Sequence, residues 1–168
     1  MASRIIIITG KKDSGKTSTL KRIIREQKSL GKTVGGIISE ARGKGSDRVS
    51  YYAVDILTGE KMLLATTEKI ETNITFGRFF FSEKGIKFAR NTLKKTEGSD
   101  IVVIDELGPL ECMEEGFLDE ALDLVKQYDG ELILVIREEC LNNIMEKLKL
   151  VTGEDRVKII TPDSVRKC

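Results

Sequence analysis

Two kinds of apolar pattern alternate along the chain. Continuous blocks rich in β-branched residues lie at Arg4 to Thr9, Ile101 to Ile104 and Leu132 to Ile136, with a shorter one at Val157 to Ile160. Such blocks predict strands buried on both faces. Between them, apolar residues recur three or four apart, the spacing of one helix face. A helix is predicted from about Gly15 to Leu30, with Leu20, Ile23 and Ile24 inward and Gly31 at its C-terminal cap. Ser82 is placed to cap a helix through about Lys95, with Ile86, Ala89 and Leu93 inward. Phe117, Leu118, Ala121, Leu122 and Val125 mark another helix, and Leu141, Ile144, Met145 and Leu148 a last one. This alternation implies an α/β fold, a mostly parallel sheet with helices on both faces.

Residues 33 to 81 break the alternation and predict added antiparallel strands. Thr33 to Ser39 reads as a strand and Arg42 to Asp47 as a loop. Short strands at Ser50 to Ile56 and Lys61 to Ala65 would join through a turn at Thr58-Gly59. Ile74 to Phe81 reads as one further strand carrying the run Phe79-Phe80-Phe81. No internal repeat or linker divides the chain, so residues 1–168 are expected to form a single domain.

Composition narrows the chemistry. The 168 residues are 40% hydrophobic and 33% charged, which fits a globular domain with a sizeable core. A net charge of +1 suggests no basic stripe, so no nucleic-acid partner is expected. No apolar run approaches the roughly 20 residues needed to span a bilayer. No signal segment is read at the start, which implies no membrane partner and a cytoplasmic location. Cys112, Cys140 and Cys168 are far apart in sequence and are expected to form neither a disulfide framework nor a metal cluster. The absence of histidine removes Ser-His and Cys-His nucleophiles and histidine metal sites, leaving carboxylates as the expected bases.

The stretch from Gly10 to Thr17, GKKDSGKT, matches the phosphate-loop pattern G-x-x-x-x-G-K-[ST] at every fixed position, between a buried strand and an amphipathic helix. Backbone N–H groups of such a loop converge on phosphate oxygens, and the helix adds its positive end. The expected nucleotide-binding set is Gly10, Lys11, Lys12, Asp13, Ser14, Gly15, Lys16, Thr17 and Ser18. Lys16 should reach the β- and γ-phosphates, and Thr17 should place its hydroxyl on Mg2+.

Asp105 and Glu106 follow the apolar strand 101–104, at the strand end where an α/β sheet binds ligands. Asp105 is expected to hold Mg2+ through a water, and Glu106 to orient or deprotonate the attacking water.

Together these residues resemble the small P-loop nucleoside-triphosphatase family that includes the cancer-related nucleoside-triphosphatase. The resemblance rests on Gly10 to Thr17, on GGIISEAR from Gly35 to Arg42, and on DELGPLE from Asp105 to Glu111, in that order. It implies a RecA-like sheet and slow, Mg2+-dependent hydrolysis of ATP, GTP and other triphosphates to diphosphates. After the last strand the family often carries Asn-Arg-Asp, where this chain has Thr161-Pro162-Asp163-Ser164.

Other residues keep two readings. Glu111 either returns to the metal waters or substrate, or is an exposed loop acid or helix N-terminal charge. Arg137, after the strand 132–136, either stabilises γ-phosphate charge as an arginine finger in the same chain or pairs with Glu138 or Glu139. Arg42 stands after another strand and carries the resemblance. The Phe79–Phe81 run either stacks on a base or fills core, and a strand cannot face all three one way. Two competing functions remain: a small-molecule kinase, for which no Arg-rich lid is visible, and a nucleotide-dependent switch or assembly factor acting on an unidentified protein partner. The guanine-reading N-K-x-D motif is absent.

Overall fold

The computed structural model describes residues 1–112 and 115–166. Cys168 lies outside them. The strands are β1 (Arg4–Gly10), β2 (Val34–Arg42), β3 (Ser50–Asp55), β4 (Lys61–Thr66), β5 (Thr75–Phe76), β6 (Phe79–Phe81), β7 (Ile101–Leu107), β8 (Glu131–Arg137) and β9 (Val157–Ile160). The helices are α1 (Lys16–Ser29), α2 (Glu83–Lys94), α3 (Pro109–Cys112), α4 (Leu118–Gln127), α5 (Leu141–Lys147) and α6 (Pro162–Arg166).

All nine described strands form one sheet in the order β5-β6-β4-β3-β2-β7-β8-β1-β9. Strands β2, β7, β8, β1 and β9 are parallel, and β3, β4, β6 and β5 extend the sheet antiparallel. The fold is therefore α/β, with the mostly parallel arrangement of P-loop proteins and an antiparallel wing.

The parallel strands send alternate residues to opposite faces, as pleating requires. On one face Ile8, Val34, Ile101, Val103, Ile133 and Val135 pack with Leu20 and Ile24 of α1. On the other, Ile5, Ile7, Val102, Ile104, Leu132 and Leu134 pack with residues of α2, α4 and α5. Such double-faced burial explains why these strands read as unbroken apolar runs.

The α2 start behaves as its sequence requires: Ser82 accepts a hydrogen bond from the Gly85 N–H at 3.1 Å. Gly36 has a positive φ of +105°, and a Cβ there would stand 2.0 Å from the Val103 carbonyl oxygen. Only glycine lets β2 approach β7 this closely.

One expectation is corrected. Ile74 to Phe81 is not one strand but the hairpin β5–β6, turned at Gly77 and Arg78, with Thr75 paired to Phe80 and Phe76 to Phe79. Strand β7 runs on past Ile104 to Leu107, and α3 follows after Gly108. Cys112 and Cys140, distant in sequence, meet in space. Burial, with the Cys112 thiol beside it, pushes the Cys140 thiol up to about 12.

Candidate active site

Strand β1 delivers the phosphate loop. Its last residue, Gly10, pairs with Arg137 at the end of β8, so loop and arginine share one sheet edge. Gly15 takes a left-handed conformation (φ 91°) at the start of α1, and no side chain caps that helix. Its first N–H groups therefore lack a side-chain partner, the arrangement that receives an anion.

Lys16 is 5% exposed, and its Nζ donates to the Lys11 carbonyl across the loop at 2.6 Å. Burial lowers its pKa, and Arg137 acts in the same direction; Glu106, Glu139 and Asp105 oppose. These opposing groups show which charges gather here. Lys11, Lys12 and Ser18 are exposed around the loop.

Asp105 is 1% exposed. Its Oδ2 accepts from the Thr17 hydroxyl at 3.3 Å and from the Ser39 N–H at 3.1 Å. The phosphate loop and the acid-bearing strand thus meet, although β8 separates β7 from β1. Asp105 Oδ1 and Ser14 Oγ are buried without a hydrogen-bond partner. Orphaned oxygens of this kind are costly unless a ligand completes them. Desolvation, then the neighbouring Glu106, pushes Asp105 up to about 7, against the pull of Ser39, Thr17 and Lys16.

Glu106 has a positive φ of 67° at an irregularity where the β7–β8 register shifts between Ile104 and Leu107. A non-glycine residue in this region is strained, and a bulge re-aims its side chain. Glu106 lines the cleft over the phosphate loop together with Thr17, Ser18, Lys16 and Arg48. Arg137 places its Nε 3.6 Å from Glu106 Oε2 and its Nη1 3.8 Å from Glu139. Both sequence readings of Arg137 thus find a geometric counterpart, since it faces the site and is also paired.

Glu111 is not an exposed loop acid. It is 2% exposed, and its oxygens accept from the Gly108 N–H at 2.7 Å and the Phe117 N–H at 3.1 Å. Burial pushes it up to about 7, partly offset by those N–H groups. It ties the turn after β7 to the start of α4, beside Glu106 rather than over the phosphates. Arg42 lies exposed at the end of β2 and does not line the phosphate cleft.

The cleft is lined instead by Arg48, which the sequence does not single out. Its Nη1 stands 2.5 Å from Asp13 Oδ1 in the phosphate loop, and Tyr51 and Glu106 act on its charge. Arg78 donates to the carbonyls of Ser46 and of Arg48, the latter at 2.7 Å, and lies over the Phe79 ring. Arg78 therefore braces the segment that carries Arg48. The sequence carries no signal for it, since Arg48 is a lone arginine in a loop-like stretch. Ser39 was likewise missed because it acts through its backbone. Pro162 of the tail approaches Gly10, its Cδ lying 3.5 Å from where a Cβ would project.

The family model for NTPase matches residues 5–163. The chain belongs to the NTPase family. It is 31% identical to nucleoside-triphosphatase THEP1 of Methanocaldococcus jannaschii over 92% of this chain and 91% of that protein. It is 29% identical to nucleoside-triphosphatase THEP1 of Methanothermobacter thermautotrophicus over 94% of this chain and 87% of that one. In structure it resembles THEP1 from Aquifex aeolicus (TM-score 0.74, 19% identity, 95% of this chain and 91% of that one). It also resembles a human cancer-related nucleoside triphosphatase (TM-score 0.71, 20% identity, 98% and 96%). The NTPase is thus a hydrolase whose substrates are nucleoside triphosphates. Among its described residues no helix is long and apolar enough to cross a membrane.

Proposed function

We propose that this NTPase cleaves the γ-phosphate from ATP, GTP and other nucleoside triphosphates in the presence of Mg2+, releasing diphosphate and phosphate. The observation that carries the reading is the convergence of Thr17 and Asp105 within 3.3 Å, with Glu106 beside them and Asp105 Oδ1 unpartnered.

That oxygen, the Thr17 hydroxyl and the hard carboxylate chemistry fit Mg2+, which takes one or two protein oxygens and completes its shell with phosphates and water. Bound there, it would draw charge from the β- and γ-phosphates and lower the barrier to cleavage. The protein's own share is positional. The loop N–H groups and Lys16 hold the phosphates. The Glu106 carboxylate accepts a proton from, or orients, a water in line with the bond to be broken. Arg48 lines this cleft and Arg137 stands against Glu106 at its side, and each can neutralise charge that develops in the reaction.

Base tolerance is supported by the missing N-K-x-D motif. The test is phosphate release from ATP, GTP, CTP and UTP, each with Mg2+ and with EDTA. Release from several bases, abolished by EDTA, is expected. Release unaffected by EDTA, or confined to one base, would overturn the corresponding part of the reading.

A further inference from the structure

Two cysteines far apart in the chain lie against each other in the fold. Cys112 closes α3, and Cys140 closes the short 3-10 turn Glu138–Cys140 that follows Arg137. Cys140 is 5% exposed and shares the core with Ile144 and Met145 of α5. Cys112 is half-buried and packs against the same core. Helix α3 contacts α5, and the two thiols stand within hydrogen-bonding reach of each other. Both thiols are free.

Their places in the chain tie them to the site. Strands β7 and β8 are neighbours whose register shifts between Ile104 and Leu107, at the bulge that aims Glu106. Cys112 directly follows Glu111, whose carboxylate holds the N–H groups of Gly108 and Phe117. Cys140 directly follows Glu139, which pairs with Arg137, and Arg137 pairs in turn with Glu106. A bond between the two sulfurs would therefore bracket the segments that leave β7 and β8 beside the catalytic carboxylate. Covalent bonding brings sulfurs closer than non-bonded contact does, so the two segments must move together as it forms.

We propose that Cys112 and Cys140 are a redox site, which a peroxide closes into a reversible disulfide that slows hydrolysis by drawing the ends of β7 and β8 together. The effect on turnover rests on the assignment of Glu106 made above, whereas the bond itself does not. Cys112 is the more exposed of the two and meets the oxidant first. Burial pushes the Cys140 thiol up to about 12 and keeps it protonated until then.

The Cys112 sulfur, as the thiolate, attacks one peroxide oxygen. The O–O bond breaks, and the other oxygen leaves as hydroxide and takes up a proton to become water. The Cys140 sulfur then attacks the Cys112 sulfur. The S–S bond forms, the S–O bond breaks, and the hydroxyl leaves as water with the Cys140 proton. The two thiols are oxidised to one disulfide, and the peroxide is reduced to two waters. A dithiol reopens the bond by exchange. While closed, the bond holds Arg137 against Glu106, so that the carboxylate stays in its ion pair instead of meeting a water.

The experiment uses the full chain with Cys168→Ser, which leaves these two thiols alone. After brief exposure to hydrogen peroxide, the intact mass should fall by about 2 Da, and proteolysis without reductant should release a peptide joining Cys112 to Cys140. The kcat for ATP should fall at least about fivefold, and dithiothreitol should restore both mass and rate. Cys112→Ser, at the partly exposed position, and Cys140→Ala, inside the core, should each keep the reduced rate within about twofold and resist peroxide. Absence of the joined peptide, or added oxygen on each cysteine in its place, overturns the inference. A complete bond with unchanged kcat overturns it equally, as does a peroxide-induced loss of rate that persists in Cys112→Ser. A reduced protein that releases no phosphate overturns the hydrolysis reading, and the joined peptide still decides the bond.

Discussion

The Arg48 guanidinium stands 2.5 Å from the Asp13 carboxylate, fastening the segment before β3 to the phosphate loop. Arg48 is only partly exposed, and its Nε is buried without a hydrogen-bond partner. A phosphate oxygen in the cleft would satisfy that group. Arg48→Ala is expected to lower kcat/KM on the order of tenfold, about 1.4 kcal/mol. Asp13→Ala, which leaves the arginine in place, should lower it by less. Steady-state phosphate release on both variants checks the order.

Glu106 is expected to act on the attacking water and not on binding. Glu106→Gln should reduce kcat by about 100-fold or more while changing ATP affinity by only a few-fold. Fluorescent-nucleotide titration beside single-turnover hydrolysis separates the two. Hydrolysis at the wild-type rate would remove Glu106 from the mechanism.

Asp105 should serve metal binding at a cost in stability. Its carboxyl is pushed up to about 7 by desolvation and by Glu106, from a usual value of 3.8. The folded chain therefore holds the proton more tightly than the unfolded chain, and stability falls as pH rises through that window. Asp105→Asn should be at least as stable as wild type in thermal melts at pH 8 without metal. In activity assays it should need at least tenfold more Mg2+. A variant that melts lower at pH 8 yet keeps the wild-type Mg2+ response would contradict both expectations.

Glu111 provides a pH test at a second carboxyl. Its folded pKa of about 7 lies above the usual 4.5, chiefly through burial. Folding then favours the protonated form, so its contribution is most favourable below pH 4.5 and is lost as pH rises toward 7. The full difference is on the order of 3 kcal/mol. Glu111→Gln should flatten that slope in urea titrations between pH 5 and 8. An unchanged slope would show that the Gly108 and Phe117 N–H groups outweigh desolvation.

Gly36→Ala tests the close approach of β2 to β7. The added methyl meets the Val103 backbone and the backbone stays at positive φ, so a loss of at least about 2 kcal/mol is expected. Chemical denaturation measures it. Because Ser39 lies on the same strand and donates to Asp105, a higher Mg2+ requirement should accompany the loss.

The amino-acid order by itself determined what depends on near neighbours. Continuous β-branched runs specify buried strands, the GKKDSGKT stretch specifies a tight loop between β1 and α1, and Ser82 specifies a helix start. These features follow from local sterics and short-range hydrogen bonding, so they survive being read one segment at a time. Asp105 and Glu106 were legible for the same reason, as acids directly following such a run.

Tertiary structure decided what depends on distant segments. The turn at Gly77 and Arg78 folds Ile74 to Phe81 into a hairpin because β6 finds a partner in β4, which no local pattern encodes. Glu111 could be read either as a site residue or as a surface acid, and the return of Phe117 buries it between two N–H groups. Cys112 and Cys140 meet only because α3 packs against the start of α5. Arg48, not the motif-borne Arg42, lines the phosphate cleft because Arg78 and Asp13 hold it there. Each depends on side chains far apart in the chain being brought within a few ångströms, and burial and electrostatics at that range belong to the folded molecule.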